Sequence, residues 1–168
     1  MPANPNWARW IFASLADYLK KVAQANDVAV MVEGLDERSS QFMEAADRVE
    51  IRITGPSVRE LSHNYWVLKV DANVLLSSRF DGPDTRNRYT FTQLAGIFQS
   101  AMDAAIAIYR YGSQSGDDET LVGCLSPLSG RQDAVKVFHF GQVNETDGLR
   151  QSMIDAKYVM ELSDNEDT

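Results

Sequence analysis

The sequence predicts an α+β domain: a mostly antiparallel sheet with two amphipathic helices packed on one face and a long C-terminal β-hairpin. Three observations carry that expectation. Apolar residues recur at three- and four-residue spacing over 7–25 and again over 90–111, the period of a helix with one buried stripe. They alternate with polar or charged residues over 47–54, 65–73 and 154–162, the period of a strand with one wet face. The order helix, short strand, strand, strand, helix, strand, strand lacks the strand-helix alternation of a parallel nucleotide-binding fold.

The first helix starts well at Asn4-Pro5, with Asn as N-cap and Pro where a missing N–H costs nothing. Trp7, Trp10, Ile11, Leu15, Tyr18, Leu19 and Val22 make its apolar stripe. Lys20 and Lys21 lie near its end, where they complement the helix dipole, and it is expected to stop near Ala25. The two tryptophans are candidates for the core or for a subunit contact. Val28–Val32 reads as a brief strand. Residues 33–46 are polar and weakly patterned, so they are expected to be a long loop that meets a partner, with Phe42 and Met43 as its contacts.

Strict alternation in Asp47–Thr54 predicts a half-wet strand that Gly55-Pro56 stops. A link over 55–64, carrying Glu60 as a candidate contact, should lead to a second strand over Tyr65–Ser78. There Trp66, Leu68, Val70 and Ala72 oppose Lys69, Asp71 and Asn73. The two strands should pair as an antiparallel hairpin. Residues 80–89 are turn-rich. Their Arg86, Arg88 and Tyr89 are either solvated or able to touch phosphate. Thr90 with Gln93 three residues on fits a capping box for a helix running to Tyr111, with Gly112 placed to end it.

Residues 113–119 read as a flexible acidic loop and Leu121–Leu128 as a short apolar run broken by Gly123 and Pro127. Val135–Val143, a turn at 144–148 and Leu149–Leu162 form the closing hairpin, with Ile154, Ala156, Tyr158, Met160 and Leu162 facing inward. The domain is expected to span 1–162, followed by an acidic flexible tail over 163–168.

The 168 residues suit one domain, and 44% hydrophobic with 24% charged residues is a globular mixture. The net charge of -8 is uneven: residues 1–111 carry 13 acidic and 12 basic side chains, residues 112–168 carry 11 and 4. Such a balance disfavours binding in a nucleic-acid groove. The acidity either keeps the protein soluble or faces a basic partner or a channel through which DNA must slide. One cysteine, Cys124, excludes an intrachain disulfide framework and a cysteine-rich zinc site. No run reaches the roughly 18 to 20 apolar residues that span a bilayer, and the first residues lack the pattern of a signal peptide. A protein made in the cytoplasm, without a membrane span, is the expectation.

Catalytic signatures are missing: no G-x-S-x-G elbow, Walker loop, G-x-G-x-x-G or H-E-x-x-H occurs. His63 and His139 lie in different elements without metal-ligand spacing. Cys124 would need a base beside it to act as a nucleophile, and His139 on an adjacent strand is the one candidate. The carboxylates of 117–119 sit in a Gly/Ser-rich loop that cannot hold an acid/base pair rigid. No enzyme activity, cofactor or metal is therefore expected.

The helix Trp7 to Ala25, the pair Val49–Ile53 with Tyr65–Val70, the helix Thr90 to Tyr111 and the closing strand Ile154–Leu162 together resemble the tail terminator and tail-completion proteins of long-tailed bacteriophages. The resemblance covers most of the chain as element order and strand texture. It implies a hexameric ring at the head-proximal end of the tail tube, a virion structural protein that stops tube growth. Its partners would be the tail tube protein and the neck or connector (stopper) protein, with DNA passing through an acidic lumen without sequence-specific binding. Residues 33–46, 55–64 and 144–148 would supply the contacts, with Asn144, Glu145 and Asp147 at the hairpin tip. The long C-terminal hairpin exceeds what that family needs, which keeps a neck adaptor or a tube subunit open. A small intracellular protein-binding adaptor is the reading from a different class.

Overall fold

In a computed structural model the described residues are 6–63, 65–79, 85–110, 120–128, 134–144 and 148–163. They form a mixed α+β structure on a curled, largely antiparallel sheet. The elements are α1 (Asn6–Ala25), β1 (Ala29–Val32), α2 (Ser40–Glu44), β2 (Asp47–Ser62), β3 (Tyr65–Arg79), α3 (Thr85–Met102), β4 (Ile106–Arg110), β5 (Thr120–Pro127), β6 (Val135–Asn144) and β7 (Leu149–Ser163).

α1 buries the stripe its spacing predicts, with Trp10, Ile11, Leu15, Leu19 and Ala23 inside. It ends where Asp27 takes a left-handed φ of 55° and the Asn26 side-chain amide donates to the Val22 carbonyl at 2.8 Å, satisfying a last-turn acceptor. The Asn4-Pro5 start lies outside the described residues.

β3 and β7 are the spine of the sheet, antiparallel through fifteen residue pairs from Tyr65↔Ser163 to Arg79↔Leu149. β2 lies on the other side of β3, and β1 adds a parallel edge to it over Arg48–Ile51 only. β5 and β6 lie in line along the free side of β7: Ser126 and Pro127 face Val159 and Tyr158, and Val135–Asn144 face Ala156–Leu149. Their junction closes at Lys157, whose carbonyl accepts from Leu128 N–H at 2.9 Å and whose N–H donates to the Ala134 carbonyl at 3.0 Å. β4 pairs with β5. One buried cluster joins α1 and α3 to the inward rows of the sheet, among them Ile51, Leu68, Val74, Ile154 and Tyr158.

Five expectations need correction. β2 does not stop at Gly55-Pro56 but runs to Ser62, with a bulge between Thr54 and Ser57. Proline lacks the N–H a ladder needs, so it sits in the bulge while pairing resumes at Ser57↔Lys69. Gly55 is required there: its φ is 108° and a Cβ would lie 2.9 Å from the Lys69 carbonyl oxygen. The link of 55–64 is therefore mostly strand, and Ser62↔Tyr65 pair directly across it.

The second helix is shifted as well. It begins at Thr85, so Thr90 is inside it rather than capping it, and it ends at Met102. Ala105, Ile108 and Tyr109 leave the expected helical stripe; Ile108 and Tyr109 belong to β4, whose burial alternates. Distant side chains terminate this helix: Tyr18 Oη donates to the Ala101 carbonyl at 2.8 Å and Tyr158 Oη to the Met102 carbonyl at 2.7 Å. Gly112 lies outside the described residues.

Leu121–Leu128 becomes strand β5, so the sheet has seven strands. The expected loop over 33–46 contains α2, because Ser39 Oγ accepts the Phe42 N–H at 3.1 Å as an N-cap and Phe42 is buried. Ser163, assigned to the tail, closes the β3-β7 ladder, while residues 164–168 lie outside the described residues.

Candidate functional site

Among the described residues the chemistry-bearing side chains do not converge. Among the described residues no group of three His, Cys, Asp or Glu could hold a metal ion. Cys124 is exposed on β5 opposite Ala107, whereas His139 Nδ1 lies 2.7 Å from Ser152 Oγ. Along β7, Ser126 is level with Val159 and His139 with Ser152, so this cysteine-histidine pair is not assembled. A cleft of about 310 Å³ at the bulge is lined by Gly55, Ser57, Lys69, Asp71 and Lys157, with no histidine or cysteine. Burial, with Arg79 and Arg38 nearby, pushes the Arg48 guanidinium below its ordinary value despite Glu50, and its Nη1 donates to the Met43 carbonyl at 2.7 Å.

The sheet edges are more informative. Unpaired strand edges invite pairing with another chain, and proteins usually block them. The edge of β1 is capped at Val32 by a turn: Val32 N–H donates to Asp36 Oδ2 at 2.9 Å, and the Val32 carbonyl accepts from Asp36 N–H at 2.9 Å. Lys20 holds that carboxylate through a 2.9 Å ion pair. Burial alone would raise the Asp36 pKa; the Val32 N–H and Lys20 outweigh it and hold the group below the usual aspartate value. The edge of β4 is blocked by α1, since Tyr109 N–H donates to Ser14 Oγ at 2.9 Å and the Arg110 guanidinium lies 5.7 Å from the Trp10 ring centre.

Two edges have no such cover among the described residues. β2 beyond Ile51 meets no strand on its outer side, and there Val58 and Leu61 are 48% and 53% exposed. β6 pairs with β7 alone, and it exposes Phe138 and Phe140 at 43% and 53%. Each open edge thus carries two large apolar side chains in water.

The expected contact residues fall differently. Trp7 is half-buried, edge to face with Trp10 at 5.2 Å between ring centres, and Trp10 is buried. Phe42 is buried too, so it anchors α2 instead of being offered to a partner, while the adjacent Met43 is exposed. Glu60 is exposed on the open edge of β2. Asn144 ends β6 opposite Leu149, and Glu145 and Asp147 lie outside the described residues. Val58, Leu61, Phe138 and Phe140 were missed: strand periodicity tells which face a residue takes, not whether its strand has a neighbour.

No protein-family model matches the chain, and no curated protein is significantly similar to it.

Proposed function

We propose that the chain is a structural ring subunit of a phage tail or neck, like a tail terminator, that caps the head-proximal end of the tail tube and joins it to the head-tail connector. Two apolar sheet edges, uncovered among the described residues and on opposite sides of one subunit, carry the reading, because an interface between two different surfaces of the same protein repeats from copy to copy and gives a ring when the rotation between copies closes. The lack of a convergent catalytic group among the described residues and the resemblance in element order support the same reading. In it the protein is not an enzyme and binds no cofactor. Two amphipathic helices on one face of the sheet and the long C-terminal hairpin complete the subunit. The ring is a hexamer in the virion, its partners are the tail tube protein and the stopper protein of the neck, and DNA passes through its lumen without sequence-specific contact.

The deciding experiment mixes purified protein with tail tubes and images them in negative stain. Rings at one tube end are the expected result. A protein that stays monomeric at all concentrations and does not bind tubes would refute the proposal. Binding along the tube or at the connector instead would place the chain elsewhere in the neck or tail.

A further inference from the structure

We propose that the open edge of β2 over Ser57–Glu60 pairs antiparallel with the open edge of β6 over Val137–Phe140 of a second copy, with Arg59 opposite Phe138. The inference rests on the ring reading above and names the two halves of its subunit interface.

Backbone direction selects the residues. The Ile51 carbonyl accepts from Glu33 N–H on the β1 side, so Ile51 faces away from β3. Alternation through the bulge register, Thr54↔Asp71 and then Ser57↔Lys69, makes Val58 and Glu60 the residues whose backbone groups face outward. On β6 the bond from Lys157 N–H to the Ala134 carbonyl turns Ala134 toward β7, which leaves Val135, Val137 and His139 facing outward. Val58 lies across from Leu68 and Val137 across from Ile154, and both of those partners are fully buried. A sheet joined through these edges therefore keeps one continuous core face.

Strand polarity agrees. β2 is antiparallel to β3, β3 to β7 and β7 to β6, so β2 and β6 run in opposite directions and copies turned about a common axis meet antiparallel. Charge chooses between the registers that this geometry allows. Setting Val58 opposite Val137 puts Arg59 directly opposite Lys136, a destabilising like-charge pair. Sliding by two residues sets Val58 opposite His139 and Glu60 opposite Val137. Arg59 then lies over the exposed Phe138 ring as a cation–π pair, and Glu60 is diagonal to His139. Self-pairing of β2 centred on Arg59 or Glu60 is disfavoured on the same ground, since it sets Arg59 against Arg59 or Glu60 against Glu60. The other two edges are already blocked by Asp36 and Ser14.

Cysteine cross-linking tests the register directly. Within one chain β3 and β7 separate β2 from β6, three strand spacings or about 14 Å, which no disulfide can bridge. In a Cys124→Ser background, Arg59→Cys with Phe138→Cys, oxidised with copper phenanthroline, should give a ladder of covalent multimers on a non-reducing gel, and Arg59→Cys with Lys136→Cys should not. An assembly seen by light scattering that gives no ladder with the first pair, or a ladder with the second pair alone, overturns the inference and leaves the ring reading standing. Failure to assemble, alone and on tubes, removes both. Val58→Lys, with its fold checked by circular dichroism, should lose assembly; full assembly of that variant overturns the pairing.

Discussion

Gly55→Ala tests whether the bulge directs the outer half of β2. Two costs add. A non-glycine residue held at φ 108° is strained by about 1 to 3 kcal/mol. The new Cβ would also lie 2.9 Å from the Lys69 carbonyl oxygen and 3.3 Å from the Ser57 nitrogen. Those are backbone atoms that cannot rotate aside, so the strands must part locally and weaken a ladder hydrogen bond worth about 0.5 to 1.5 kcal/mol. The sum, about 2 to 4 kcal/mol, is a large share of the 5 to 15 kcal/mol typical of a domain. Gly34→Ala is the control: its φ is 84°, but nothing lies within 4 Å of the added methyl, so it carries the conformational cost alone. Urea unfolding followed by tryptophan fluorescence should give a midpoint lowered by about 1 M or more for Gly55→Ala, for a urea slope of about 2 kcal/mol/M, and clearly less for Gly34→Ala. Equal shifts in the two variants would refute the argument from close approach. Because Ser57–Leu61 follow the bulge, Gly55→Ala should impair assembly more than Gly34→Ala does at matched stability.

Three further outcomes are expected. Tyr158→Phe leaves the Met102 carbonyl without its 2.7 Å donor inside the core and should cost about 1 to 3 kcal/mol in chemical unfolding, more than Tyr18→Phe, whose acceptor is only partly buried. Ser14→Ala removes the acceptor of Tyr109 N–H at the β4 edge and should cost about 1 to 2 kcal/mol by the same measurement, with the largest increase in hydrogen exchange at Tyr109. The Asp36 pKa is lower folded than unfolded, so its contribution is complete above the ordinary aspartate value and is lost as pH falls through the folded one. The stability gap between the parent protein and Asp36→Asn should accordingly narrow on acidification below pH ~4, as followed by thermal unfolding across pH.

Where local pattern decided structure, the sequence was readable. α1, β3 and β7 each bury one periodic stripe, and their inward residues are the expected ones. The boundary between α3 and β4 was not readable, because the carbonyls that end the helix are satisfied by Tyr18 and Tyr158, 83 and 56 residues away in the chain. Gly55-Pro56 read as a stop because both residues break regular strands; the pairing of Ser57–Ser62 with Tyr65–Lys69 carries β2 past them. Phe42 reads as a loop contact because the segment 33–46 is polar and weakly patterned, yet it is buried and anchors α2. At the candidate interface Glu60 was named from sequence while Val58 and Leu61 were not, for openness is a property of the assembled sheet.

The unequal treatment of the edges is what favours the proposed ring over the adaptor. An adaptor that works as a monomer or symmetric dimer needs one docking edge and benefits from blocking the rest. Here two edges are blocked by specific side chains, Asp36 held by Lys20 and Ser14 fixed on α1, so edge exposure is controlled and not merely tolerated. The two left open lie on opposite sides of the β3-β7 spine and run in opposite directions. A single partner strand could cover only one of them. In the proposed ring a second and a third copy of the same chain would pair with both, so that neither strand edge of any subunit stays unpaired.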